Sequence, residues 1–387
     1  MYAASGQKAK SAGVAMSPSI SLAEKYNDNI FSQRSDKKSD FISVLNAAMA
    51  VKATNTPHTL ALNAGLTRNQ YANYWQDSFT DYNAGLNGRH VFDRDAYLGA
   101  SGGYRYLHSQ RGNSQSDPDS NAASALPYHD YRAGTDFYKR FGGFTILPRV
   151  NITKYQYENM RRLNGLVLDQ EGRSRNEYRY GGELGYDILS ALKVFGDLGF
   201  TKYDYKRKDS VNRDSRGNKY LVGLQYRPNS DILAKFGGGY MRRTWKLNNT
   251  YRNVGAWNAL ARLDWQFNKA GKINYTLGRS IDEVTNRNTS ASVCTNMKVS
   301  VSYLLPADIL GTLGYRYAMY NYQGGLGASG GARDKRDNLR EGTFDLAYKC
   351  HECVTLNANY TYTDYKSNYI NSNYKRNVVM IGAKFGI

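Results

Sequence analysis

The ten residues Val354-Thr355-Leu356-Asn357-Ala358-Asn359-Tyr360-Thr361-Tyr362-Thr363 decide the fold. Successive side chains of a strand point to opposite faces. Here Leu356, Ala358, Tyr360 and Tyr362 share one face, and Thr355, Asn357, Asn359, Thr361 and Thr363 share the other. One face is apolar and the other hydrophilic. The pattern recurs at Tyr178, Tyr180, Leu184, Tyr186 and Ile188, which alternate with Glu177, Arg179, Glu183 and Asp187. It recurs again where Trp257, Ala259, Ala261, Leu263, Trp265 and Phe267 alternate with Asn258, Leu260, Arg262, Asp264, Gln266 and Asn268.

Working outward along the chain gives 18 such segments, centred near residues 23, 48, 64, 86, 103, 134, 150, 182, 198, 223, 238, 260, 277, 298, 314, 346, 359 and 381. The connections alternate as well. Short turns fall near Asn55, Asp93, Gly142, Ser190, Asn229, Ala270, Pro306 and His351. Longer, more charged links fall near Asp36, Gln76, Ser116, Gly165, Ser210, Asn248, Asn286, Gly330 and Asn371. Eight short turns and nine long links are what an even-stranded barrel with both termini in the periplasm requires. The expected fold is therefore all-β: a transmembrane antiparallel up-and-down β-barrel of 18 strands over residues 17–387, preceded by a disordered segment at 1–16. A β-sandwich would need no such number of strands of similar length, and a propeller would show a blade-length repeat, which is absent.

Composition fits the same fold. The chain holds 37 Gly, 34 Tyr and only 7 Pro in 387 residues. Mean hydropathy is −0.65, and no run of 18 apolar residues exists to form a membrane helix. A barrel strand shows lipid only every second side chain, so its mean hydropathy stays low. Tyrosine, with an apolar body and a polar tip, suits the membrane interface. Export to the outer membrane needs a signal peptide, and Met1–Met16 lacks the apolar stretch of one, so the signal is expected outside this segment.

Net charge is +19, spread at strand spacing rather than clustered. Nucleic-acid binders gather their charge on one patch or helix, so no nucleic-acid partner is expected. Alternation places Lys52, Arg89, Arg105, Arg132, Arg149, Arg179, Lys193, Lys219, Arg227, Lys235, Arg243, Arg262, Lys272, Lys298, Arg316, Lys349 and Lys384 on the inner face. The acids there are Asp136, Glu177, Glu183, Asp187, Asp197, Asp264, Asp282 and Asp345, so 17 bases face 8 acids. A barrel of this size leaves an aqueous channel. A lumen lined by one sign draws in counter-charged solutes, so anion preference is expected. Each inner charge has two open roles: bracing the wall in ion pairs, or selecting the solute. The long links Gly112–Ala125 and Gln323–Arg340 are candidates to fold inward as a constriction. Basic links such as Arg333–Arg340 and Lys206–Arg216 are candidates to meet lipopolysaccharide phosphates.

Motifs for catalysis and cofactors are weak. Three readings stand for Cys350-His351-Glu352-Cys353 at a periplasmic turn. The oxidising compartment favours a Cys350–Cys353 disulfide. The tight geometry favours two free thiols. A metal pair would need two further ligands, and only Cys294 remains as a thiol. Haem attachment would need a His where Val354 stands. Gly325-Leu326-Gly327-Ala328-Ser329-Gly330 matches a dinucleotide fingerprint, but no helix pattern follows it. His108-Ser109 and His129-Asp130 are sequence neighbours on strands, so within each pair the side chains point apart; a cross-strand pairing between the two regions is open. No cofactor, metal or enzymatic activity is expected.

The opening strand reads Ser17-Pro18-Ser19-Ile20-Ser21-Leu22-Ala23-Glu24-Lys25-Tyr26-Asn27-Asp28-Asn29-Ile30-Phe31. This resembles the start of the outer-membrane β-barrel porin family found in polysaccharide-export and exosortase loci, where an alternating strand ends in an acid, a Tyr and an Asn-Ile-Phe-like run. The motif covers about 15 residues; strand count, length and the Tyr/Gly/Asn texture extend the likeness. The resemblance implies an 18-stranded porin-like barrel carrying exopolysaccharide across the outer membrane, and identifies no catalytic residue. With the basic lumen, the expected function is passage of an acidic exopolysaccharide, with outer-membrane lipid, lipopolysaccharide and periplasmic export proteins as partners. The alternatives are a general or anion-selective diffusion porin and a structural barrel within an envelope assembly.

Overall fold

The computed structural model describes residues 13–111, 122–208, 212–247, 250–284, 289–324, 335–368 and 372–386. Its long strands are β1 (Gly13–Asn27), β2 (Asp40–Asn55), β3 (His58–Tyr71), β4 (Phe79–Asp93), β5 (Ala96–Ser109), β6 (Leu126–Phe141) and β7 (Phe144–Tyr157). A short hairpin, β8 (Met160–Arg161) and β9 (Val167–Leu168), sits in the next loop. Then follow β10 (Arg175–Leu189), β11 (Leu192–Tyr205), β12 (Ser215–Tyr226), β13 (Ile232–Trp245), β14 (Val254–Gln266), β15 (Gly271–Asp282), β16 (Thr289–Leu305), β17 (Ile309–Gly324), β18 (Arg336–His351), β19 (Val354–Ser367) and β20 (Tyr374–Gly386). Each long strand pairs antiparallel with the next, and β20 pairs with β1, closing an 18-stranded barrel. Closure satisfies the backbone without leaving a sheet edge, which is the only way strands survive in lipid. All 18 predicted centres fall inside these strands, and each predicted short turn falls between two of them or on the last residue of a strand.

One boundary moves. Strand β1 begins at Gly13, pairing with Thr54, so residues 13–16 belong to the barrel rather than to a disordered leader. Val14 and Met16 continue the outward row of Ile20 and Leu22, which is why the ladder extends there. Residues 1–12 lie outside the described residues.

The outer wall is the apolar one. Leu62, Leu86, Leu184, Val222, Leu313 and Ile381 are among its exposed side chains. Aromatic contacts flank this band towards both ends. Tyr82–Tyr106 and Tyr104–Tyr131 lie towards the loop side, with centroids 4.9 and 5.1 Å apart. Phe144–Tyr186 lies towards the turn side, at 4.7 Å. These are the girdles expected at the two membrane interfaces.

Eighteen strands enclose too wide a space for wall side chains to fill. Apolar packing inside the barrel therefore gathers at the mouth, where loops fold onto the inner wall. Ile30 packs with Ile42, Val44, Tyr71, Phe79 and Ala125. This gives the Asn27–Phe31 run a structural account. Asn29 is fully buried; its amide donates to the carbonyls of Gln33 (2.8 Å) and Lys375 (2.9 Å) and accepts from Gln33 N. Asp28 accepts from the backbone N and the side chain of Asn377, both at 2.7 Å. Phe31 meets Tyr74 edge-on and lies under the Arg111 guanidinium. The run thus staples the first loop across the β20–β1 closure.

Candidate functional site

The ladders bring many of the predicted inner charges together in ion pairs. Arg149 and Lys219 both reach Asp197, at 2.6 and 2.7 Å. Lys235 reaches Glu183 at 2.6 Å across two strands. Arg262 pairs with Asp264 at 2.6 Å, and Arg140 and Lys193 flank Asp187 at 2.8 and 3.7 Å. Arg105 and Arg132 share the fully buried Asp130; Arg175 and Arg179 share Glu177. One acid thus commonly serves two bases. Arg89 stacks on Tyr97 at 4.3 Å, and Asp345 accepts from Asn359. Arg89, Lys298 and Arg316 make no ion pair among the described residues.

Arg149, Arg179, Lys219 and Arg243 converge on a lumen cavity of about 450 Å³, together with Asp197, Asp282, Met241 and Ile281. Arg132, Arg149, Arg179 and Lys219 are about half exposed. Their heads remain in water and available to a solute.

An element absent from the sequence expectations ties the loop ends of β15 and β16 to β13 and the β11–β12 loop. Glu283, one residue beyond β15, pairs with Arg243 of β13 and with Arg213 of the β11–β12 loop, the latter at 2.9 Å. Arg213 also donates to the Ser290 carbonyl at 2.9 Å, and Ser290 Oγ accepts from Arg252 N at 2.9 Å. Val284 packs with Cys294, Ala318, Tyr320, Tyr322, Leu339 and Tyr365 of the neighbouring strands β16–β19. Burial pushes the Glu283 carboxyl up, but Arg243, Arg213 and Arg175 outweigh it and hold it at about 2. The sequence offered one signal: Val284 is apolar where an exposed link should be polar. The predicted constriction loops fall largely on 112–121 and 325–334, outside the described residues. Of the first, residues 122–125 are described; Arg111, which precedes it, pairs with Asp77 and donates to the Ala122 carbonyl at 2.9 Å. The Gly325–Gly330 match also lies outside the described residues.

Cys350 and Cys353 flank the turn between β18 and β19. Both cysteines are exposed and free. The ladder shifts register between Lys349 and His351, so Cys350 sits at an irregularity, its thiol directed to the Val354 carbonyl at 3.5 Å. Cys294 is buried in the mouth. His108 pairs with Asp81 at 2.9 Å, while His129 lies between Tyr104 OH (2.9 Å) and Glu158 (3.0 Å). The two histidines thus have separate partners. No group of three metal-ligating side chains occurs among the described residues.

A closed antiparallel barrel with an apolar outer wall, aromatic girdles and a charged lumen defines a porin-like channel of the bacterial outer membrane. Residues 2–386 match the family model described as "Putative beta-barrel porin 2", and the chain belongs to that family. No curated protein matches it. Among solved structures, OccK3 (OpdO) of Pseudomonas aeruginosa is similar at 12% identity, with 96% of each chain covered and a TM-score of 0.50. OpdK of the same organism gives 10% identity, 96% and 99% coverage and a TM-score of 0.49. OccAB4 of Acinetobacter baumannii gives 12%, 96% and 98%, and 0.47. At such identities the likeness is one of fold.

Proposed function

We propose that this channel conducts anions and that its cargo is an acidic exopolysaccharide. The observation that carries the reading is the pairing pattern of the lumen: single acids shared by two bases leave a net positive wall, with half-exposed Arg and Lys heads around the cavity. Arg149, Arg179 and Lys219 line the path there, and Arg89, Arg105, Arg132, Lys235, Arg262, Lys298 and Arg316 continue it. Glu183, Asp187, Asp264 and Asp345 moderate the charge. Many weak, exchangeable contacts let an acidic chain enter and still leave. The loop-packed mouth favours a second reading, diffusion of small anions.

The test is single-channel recording of the refolded chain in planar bilayers, first for anion over cation permeability, then with an oligouronate and a neutral dextran of equal length added. Anion selectivity with block by the oligouronate alone supports the polysaccharide reading. Anion selectivity without block leaves the small-anion reading. A cation-selective channel refutes both.

A further inference from the structure

The barrel wall has one weak seam. Strands β14 and β15 share only seven ladder pairs, Leu260↔Gly278 to Gln266↔Lys272, the shortest ladder of the eighteen. Above it, β14 remains paired to β13 up to Val254, and β15 to β16 up to Asp282. Residues 254–259 and 279–282 therefore face each other without ladder bonds. Six strand residues at about 3.3 Å each make a split about 20 Å long. It lies in the loop-side half, the half in the outer leaflet if both termini are periplasmic. Unpaired backbone is tolerated at membrane depth only where protein buries it or it lines a wet cavity.

Both conditions meet here. Behind the split lies an apolar cluster of Met241, Trp245, Tyr251, Val254, Ala291 and Val293, with Ala256 and Ile281 against it. Met241 and Ile281 also line the lumen cavity, whose other walls carry Arg149, Arg179, Lys219 and Arg243. In front of it Trp257 is 73% exposed on the outer wall. Buried polar atoms without a hydrogen-bond partner gather around the split: Asn258 Nδ2, Arg279 Nε, Trp245 Nε1 and Ser292 Oγ. From the bilayer inward, the order is an interfacial aromatic, a stretch of wall without ladder bonds, a buried apolar cluster and a basic chamber.

We propose that the β14–β15 seam is a lateral portal admitting an anionic amphiphile, its acyl tail lying in the seam and its acidic head in the Arg149–Lys219 chamber. Charge complementarity fixes the head as anionic, and the apolar cluster fixes the tail as hydrocarbon. The inference stands on the seam and not on the polysaccharide reading.

The test uses Trp245 as reporter, because it is 5% exposed and lies behind the seam. The full chain and its Trp245→Phe variant are refolded into phosphatidylcholine vesicles, and the difference between their emissions isolates Trp245. Dibrominated stearate, an anionic amphiphile with a quenching tail, is compared with dibrominated phosphatidylcholine at equal mole fraction. The portal requires stearate to quench Trp245 at least threefold more. The double variant Arg149→Gln/Lys219→Gln should lose that preference. Bridging the split with Asn258→Cys/Ser280→Cys, once oxidised, should abolish quenching while the channel still conducts. Equal quenching by the two lipids, or no quenching of Trp245, overturns the proposal.

Discussion

Replacing Glu283 by Gln tests whether the inward hairpin is held by its ion cluster. The substitution keeps the shape and removes the charge that neutralises Arg243 and Arg213, both buried. Arg243 is 1% exposed, so its charge is poorly hydrated. The gap between the ordinary carboxyl value of 4.5 and about 2 is worth about 3 kcal/mol. Breaking one side of a buried pair costs about 3–5 kcal/mol, which agrees. Urea unfolding of the refolded protein in micelles should therefore show a clearly lowered midpoint. Single-channel conductance should rise, because the hairpin is no longer tied to the β13 wall. Acid should mimic the variant. A carboxyl whose folded value is depressed contributes its full stability above about 4.5 and loses it as pH falls towards 2, so the wild type should approach the variant only in that window. An unchanged urea midpoint together with unchanged conductance at neutral pH would refute the anchoring role.

Four further outcomes follow from other parts of the barrel. Asp197→Asn releases Arg149 and Lys219 from their shared partner, so the reversal potential under a salt gradient should move towards the anion limit; movement the other way contradicts a basic lumen. At Gly239 a Cβ would lie 1.9 Å from the Tyr220 carbonyl oxygen, whereas at Gly238 it would meet nothing within 4 Å; Gly239→Val should lose the compact heat-modifiable band on gels and Gly238→Val should keep it. Leu313→Arg, on the lipid face, should cost about 2–4 kcal/mol if its site is near the midplane, while Thr312→Arg, on the lumen face, should leave the urea midpoint nearly unchanged. Cys350 and Cys353 should both react with a maleimide without prior reduction; labelling that appears only after reduction would restore the disulfide.

The fold was legible because barrel strands obey a strict two-residue period and lipid enforces it. Val354–Thr363 lies within β19, with the outward row running through Leu356 and Tyr360. The same rule explains the misplaced start: Val14 and Met16 fit the period, and a boundary set at the recognisable motif from Ser17 overlooked them. The Asn27–Phe31 run was legible as a signature and not as a mechanism. Its work is done against Lys375, Asn377 and Arg111, which are remote in sequence.

The lumen was legible one face at a time, and only on straight strands. Alternation identifies Arg149, Asp197 and Lys219 as inner residues, but their convergence on one carboxylate needs the register of β7, β10, β11 and β12. Where the backbone bends, parity stops predicting environment. Ile281 and Val293 fall on the outward row of β15 and β16, yet they sit in the apolar cluster with Trp245 and Val254. That inversion accounts for both unforeseen features at once. Bending β15 inward brings Glu283 to Arg243 and simultaneously strips β14 of its neighbour above Leu260. The constriction and the seam are therefore one structural event. A change that frees the hairpin from Arg243 should let β15 return to the wall, widening the pore and closing the lateral route together.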